Sequence, residues 1–218
     1  MRWLVVNPNS SAGVTARIDA AARAAAMPGE TVRTVSAAGA PALIVTPEDA
    51  AMAEDGVVAA VQAGAGAADG VVIASFGDTA IARVRAAVSL PVEGIAESAF
   101  RAALDHGPRF AIASFDPSVA PALRAIVAHY GLGAHLADVA VLEGGRWSDP
   151  GQIGDALAEA MARLCRDLAR REDIDSIVMG GGPLAGLARR LQPGVRLPLI
   201  DGTAAALGRL RSRVTAAR

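Results

Sequence analysis

Apolar residues along this chain fall in short unbroken runs, and long Ala-rich stretches separate them. The runs lie at Arg2–Val6, Glu30–Ser36, Gly70–Ala74 and Val92–Gly94, then at Phe110–Ala113, Ala134–Val141, Ser176–Gly180 and Leu197–Asp201. Each is bounded by Gly, Pro, Asn or Asp, which predicts strands. They are apolar throughout rather than alternating, as strands covered on both faces should be. The stretches Gly13–Ala26, Pro47–Ala63, Ala80–Val88, Pro117–Tyr130, Pro150–Arg171 and Leu184–Leu191 have helical spacing. Strands separated by helix-length segments imply βαβ units, that is, mainly parallel sheets flanked by helices. A last helix, from about Gly202 to Ala217, is expected to return to the first unit.

The pattern also repeats. LVV at Leu4–Val6 is answered by FAIA at Phe110–Ala113, and DGVVIASFGD at Asp69–Asp78 by DSIVMGGGPL at Asp175–Leu184, both at an offset of 106. LPVEGIAESAF at Leu90–Phe100 is answered by LPLIDGTAAAL at Leu197–Leu207, at an offset of 107. The expected fold is therefore α/β with two pseudo-symmetric domains, each built on a four-stranded sheet, and a cleft between them. Residues 1–98 with 208–218 form the first domain and residues 99–207 the second, joined rigidly near Ser98–Phe100.

Ligands of open parallel sheets bind beyond the carboxyl ends of the strands. That rule puts the loops Asn7–Ser11, Ser75–Thr79 and Gly94–Ser98 on one side of the cleft. The loops Ser114–Ser118, Gly181–Gly186 and Asp201–Thr203 face them. Each loop precedes a helix, so free N–H groups and the positive end of the helix dipole are expected to point at the cleft. The loops contain no Arg, so an anion or oxyanion would be held by amides and hydroxyls. Asn7, Asn9, Ser10, Phe76, Gly77, Asp78, Glu97, Ser114, Phe115, Gly182, Pro183 and Asp201 are the candidate substrate contacts.

Composition narrows the classes. The 218 residues suffice for a substantial core, 52% are apolar, and mean hydropathy is +0.35. Even so, no apolar run reaches the roughly 18 residues of a membrane span. Met1–Val6 enters a strand without a basic and then apolar leader, so a cytoplasmic location is the expectation. All 21 basic residues are Arg, which excludes Schiff-base chemistry on an internal lysine. A formal charge of −1 and 3% aromatics give neither a basic footprint nor a stacking platform for nucleic acid. A small-molecule partner remains, and the Ala-rich helical faces suggest a homo-oligomer.

The motifs NPNSS with Thr15, DGVVIASFGDTAI, VSLPVEGIAESAF, IVMGGGPLAGLA and LPLIDGTAAAL resemble the Asp/Glu/hydantoin racemase superfamily, most of all its hydantoin and allantoin racemase branch. The resemblance covers nearly the whole chain, in order. It implies two pseudo-symmetric α/β domains and a cofactor-independent isomerase. It also implies two catalytic cysteines, one on each face of the substrate carbon. Inverting a stereocentre needs one group to remove a proton and another to deliver one from the opposite side, with the carbanion held as an enolate by preorganised donors. Aligned on those motifs, the two cysteine positions are Ser75 and Gly181, again 106 apart. A hydroxyl is a far weaker base than a thiol, and Gly181 has no side chain. Three readings fit this departure. Ser75 is an engineered stand-in for cysteine; or the chain is a natural branch with altered chemistry, hydrolysing or eliminating from a hydantoin-like ring; or it is a binding protein on a racemase scaffold.

No base for Ser75 is evident. His106 precedes a strand, His135 begins one and His129 ends a helix, so all three are expected on the far edge from the cleft. Asp78, Glu97, Asp116 and Asp201 sit at the near edge, where each also suits a helix start as a cap or dipole partner. Gly64–Gly70 (GAGAADG) follows a helix and precedes a strand, the reverse of a dinucleotide loop. Cys165 shares helical spacing with Met161 and Leu168 and reads as a core residue. No His, Asp and Glu cluster has ligand spacing, so neither metal nor cofactor is expected.

Overall fold

The structure is a computed structural model, and it describes residues 1–216 except Gly144, Arg146 and Trp147. The first sheet comprises β1 (Arg2–Asn7), β2 (Thr31–Ser36), β3 (Gly70–Ile73) and β4 (Val92–Gly94), in the order β2-β1-β3-β4. The second comprises β5 (Phe110–Ser114), β6 (Leu136–Val141), β7 (Ser176–Met179) and β8 (Leu199–Ile200), in the equivalent order β6-β5-β7-β8. All pairings are parallel. The inner strands β3, β5 and β7 are buried along their whole length, while the edge strands β2 and β6 are partly open. The largely apolar sequences of β3, β5 and β7 reflect that double cover, whereas β2 (TVRTVS) is not apolar throughout as expected, because it lies at an open edge.

The helices are α1 (Ala12–Ala25), α2 (Pro47–Ala65), α3 (Ile81–Ala87), α4 (Ile95–Leu104), α5 (Ala120–His129), α6 (Ile153–Ala156), α7 (Ala158–Leu168), α8 (Leu187–Leu191) and α9 (Gly202–Ala216). Local chemistry sets their starts. Ser11 accepts from Val14 N–H at α1, and Thr46 and Asp49 form a capping box at α2. The single helix expected over Pro150–Arg171 is instead a 3-10 turn, α6 and α7. Gly154 in α6 passes so close to the Pro183 carbonyl that a Cβ there would lie 2.7 Å from its oxygen. Met161, Cys165 and Leu168 are buried along α7, as their spacing predicts, and burial pushes the Cys165 thiol up to about 12. The expected last residue of α9, Ala217, lies outside the described residues.

The duplication is visible in its bonds. Asp69 accepts from Arg2 N–H and returns its own N–H to the Arg2 carbonyl; Asp175 does the same with Arg109. Arg2 to Arg109 spans 107 positions, and Asp69 to Asp175 spans 106. The first strand is therefore offset by 107, one more than the apolar runs indicate. Runs without alternation carry no register information, so that slip is invisible in sequence.

The two units also exchange helices. α4 leaves β4 of the first sheet and packs on β5, β7 and β8 of the second, while α9 leaves β8 and packs on β3, β4 and α1 of the first. The expected join at Ser98–Phe100 is the buried middle of α4. Phe100 stacks on Phe110 at 5.5 Å and meets the edge of Phe76 at 6.1 Å, so one apolar core runs through both sheets. A smaller core, formed by Leu4, Val6, Val71 and Ile73 against Val57 and Val61, covers the outer face of the first sheet.

Candidate active site

The carboxyl ends of β1, β3, β5 and β7 converge on one cleft of about 350 Å³, lined by Asn9, Ser75, Phe115 and Gly181 among others. Ser75 and Gly181 therefore face the same cavity, as the repeat requires.

Ser75 follows β3 and is held by its own loop. Its Oγ accepts from Thr79 N–H at 3.1 Å, and its hydroxyl donates to Thr79 Oγ1 at 3.0 Å. No imidazole or carboxylate bonds to it among the described residues, so this serine lacks an activating base. Gly181, after β7, has φ +146°. A Cβ built there would lie 2.7 Å from Phe115 Cε1 and 3.2 Å from Cδ1. The Phe115 ring fills the volume that a side chain at 181 would need.

Most helix starts around the cleft do not offer free N–H groups, contrary to expectation, because the chain's own carboxylates occupy them. Asp78, in left-handed backbone at φ +45°, turns away from the cleft and accepts from Ala96 and Glu97 N–H at the start of α4. The hydroxyl of Tyr130 adds a third donor to it at 2.6 Å. At α1 it is the Ser11 hydroxyl that accepts from Val14 N–H and in turn donates to Asp149, whose carboxylate accepts from Gly151 N–H. Asp201 accepts from Gly186, Thr203 and Ala204 N–H, and burial raises its carboxyl above the usual range. Asp116 accepts from Ser118. These are capping roles.

Among the described residues the N–H groups of Phe76, Gly77, Gly181 and Gly182 find no acceptor. All four residues line the cleft, in loops 106 positions apart.

The other candidates divide. Asn9, Phe76, Gly77, Phe115, Gly182 and Pro183 line the cleft; Asn7, Ser10, Asp78, Glu97, Ser114 and Asp201 do not. Buried Asn7 donates to Asn9 Oδ1 and Thr15 Oγ1, both at 2.9 Å, which fixes the Asn9 carboxamide and leaves its NH₂ without a partner among the described residues. Ser114 donates to the Gly180 carbonyl at 2.6 Å, tying β5 to β7. Glu97 pairs with Arg85 and Arg101, and Ser10 is exposed.

Two walls went unread in the sequence. Leu43, Ile44 and Val45, in the segment between β2 and α2, form an apolar side of the cleft. Their signal was an apolar run between Pro41 and Pro47 that belongs to no strand or helix. The other wall is α5, whose Ala122, Ala125, Ile126 and His129 share one face. His129 was expected at the far edge but lies at the cleft, because α5 runs alongside the cavity instead of away from it. Among the described residues no Arg, Asp or Glu lines the cleft. Among the described residues no group of three His, Cys, Asp or Glu could hold a metal, and no helix is long and apolar enough to cross a membrane. A more open groove of about 870 Å³ follows the Ala face of α1 but shares none of the cleft's residues.

Comparison with known proteins adds an independent line. A sequence profile described as Asp/Glu/Hydantoin racemase matches residues 4–210. The chain is 29% identical over 208 residues to the hydantoin racemase of Paenarthrobacter aurescens, covering 94% of this chain and 88% of that one. It is also 29% identical over 208 residues to the hydantoin racemase of Rhizobium meliloti, covering 93% and 84%. Among solved structures, the allantoin racemase from Klebsiella pneumoniae superimposes with a TM-score of 0.93 at 32% identity, over 100% of this chain and 89% of that one.

Proposed function

The chain belongs to the Asp/Glu/hydantoin racemase family, and on that premise we propose that its cleft binds a hydantoin-type ring or a small α-substituted carboxylate and stabilises the enolate formed beside the carbonyl. The observation that carries this reading is the set of unpaired N–H groups of Phe76, Gly77, Gly181 and Gly182 in one largely apolar cavity. Donors fixed in advance in a dry site stabilise a developing oxyanion without reorganising. The Ser75 and Thr79 hydroxyls and the Asn9 amide complete the polar lining and orient the ring.

Proton transfer is the altered step. Ser75 occupies the position that the family resemblance gives to the first thiol, and its hydroxyl acts as a hydrogen-bond partner of the substrate. Gly181 supplies nothing to the second face. The chain itself thus supplies the oxyanion donors that an enolate would need, while neither Ser75 nor Gly181 provides the thiol base that would take the substrate proton. Hydrolysis is disfavoured by one further observation: among the described residues the Ser75 hydroxyl bonds only to Thr79.

Thermal-shift measurements with hydantoins, allantoin, N-carbamoyl amino acids, malonates and nucleotides test the ligand class. A ligand at a hundred times its Kd stabilises by about 2.7 kcal/mol, which raises Tm by about 5–10 °C for a chain of this size. The expected responders are the hydantoins or substituted carboxylates. A response confined to nucleotides would overturn the reading.

A further inference from the structure

We propose that His129 is the charge-recognising residue of the cleft, pairing as an imidazolium with the carboxylate or ring anion of the ligand. The assignment rests on the reading of the cleft as a small-molecule site. Among the described residues His129 is the one cleft-lining side chain able to carry a charge in the neutral range; the polar remainder is Asn9, Thr46, Ser75 and Thr79. Asp49, Asp78 and Asp116 are held at helix starts and Glu97 in ion pairs, and among the described residues none of them bonds His129. Phe76, Gly77, Gly181 and Gly182, whose N–H groups have no acceptor among the described residues, line the same space and favour the same sign of ligand. An anion in this cavity therefore meets amide donors on the loop side and His129 on the α5 side.

The ring is exposed, in the last turn of α5, where a cation suits the helix dipole. Behind it stands Tyr130, ring centroids 5.1 Å apart, whose hydroxyl is committed to Asp78. Glu97 and Arg85 lie beyond Tyr130 and act on it with opposite signs. Arg124 precedes it on α5 and pairs with Asp138. Across the cleft, the α2 start brings Asp49, whose carboxylate is held by the Val45 and Thr46 N–H groups. Glu48, exposed beside Asp49 in the first turn of α2, is the one acid here with no bond or ion pair among the described residues; none of these acids bonds His129, so the imidazole is left for the ligand. Between about pH 5 and 8 imidazole is the one ordinary side chain that changes charge, so affinity for an anion should follow it.

Calorimetric titration of the intact chain with two probes decides the matter: N-carbamoyl-phenylalanine, a carboxylate throughout, and 5-benzylhydantoin, neutral over most of the range. From pH 5.5 to 8, the carboxylate should weaken about tenfold, the loss of one charge-assisted contact, and the hydantoin less than about twofold. His129→Gln should bind the carboxylate at the weak level at every pH. His129→Arg should hold it without pH dependence. A pH dependence that persists in His129→Gln, or its absence from the parent chain, overturns the assignment. Hydantoin binding without carboxylate binding at any pH also overturns it while leaving the proposed function intact. Binding of neither probe overturns both.

Discussion

Asp78 shows how far a residue's role can sit from its place in a motif. Three positions after Ser75, it looks in sequence like a cap for the next helix or a contact for the ligand, yet it serves the start of α4. Burial pushes its carboxyl from the ordinary 3.8 up to about 6, outweighing the donors Tyr130, Glu97 and Ala96. Between those values the folded chain holds a proton that the unfolded chain has released. Stability from this group is therefore complete below about pH 4 and is lost as pH rises through about 6. At about 1.4 kcal/mol per pH unit the change is about 3 kcal/mol. Urea unfolding at pH 4, 5, 6 and 7 should show this decline, and Asp78→Asn should flatten it. An equal decline in the variant would assign it to other groups. Ser114 and Asn7 follow the same logic as Asp78: polar residues at strand ends, spent on the backbone and loops that shape the cleft. Sequence reveals that such residues are near a site but not which way they point.

Elements were legible where their boundaries carry chemistry. Short apolar runs closed by Gly, Pro or Asp gave all eight strands to within two or three residues, and Pro47 with the Thr46–Asp49 box marked α2. The exchange of α4 and α9 was half legible. The return of α9 is expected from sequence, and the join expected at Ser98–Phe100 falls inside α4, whose first turn reads in sequence as part of the EGIAES loop. α5 shows a different limit: its periodicity identifies the face of Ala122, Ile126 and His129 but not what that face meets. The docking of α9 can be tested at Leu210, fully buried, with Cδ2 3.1 Å from where a Cβ on Gly70 would stand. Leu210→Ala should cost about 2–4 kcal/mol in denaturant unfolding, as a buried large-to-small change does. Met27→Ala, on an exposed side chain, should change it by less than about 0.5 kcal/mol. A loss at Leu210 no larger than at Met27 would mean that α9 is not docked on the first sheet.

At the scale of the whole molecule, duplication places two equivalent loops across one cleft, but their chemistry is no longer symmetric. The Ser75 side has a side chain with an N–H donor ready for an anion on it; the Gly181 side has a left-handed glycine backed by Phe115. Restoring a thiol at Ser75 should therefore restore one face only. Ser75→Cys places sulfur beside Thr79 N–H, which favours the thiolate that abstracts a proton. With a hydantoin that binds, solvent deuterium should enter the ring carbon, read by mass spectrometry, while optical activity decays at least about tenfold more slowly. Adding Gly181→Cys should not close that gap, because a side chain at φ +146° costs about 1–3 kcal/mol and also meets the Phe115 ring. Only with Phe115→Ala as well does the second thiol have room, and that triple variant is the one expected to racemise as fast as it exchanges. If Ser75→Cys alone racemises at the exchange rate, a group other than residue 181 delivers the second proton. His129, already at the cleft wall, is then the first to replace, and its removal should separate exchange from inversion.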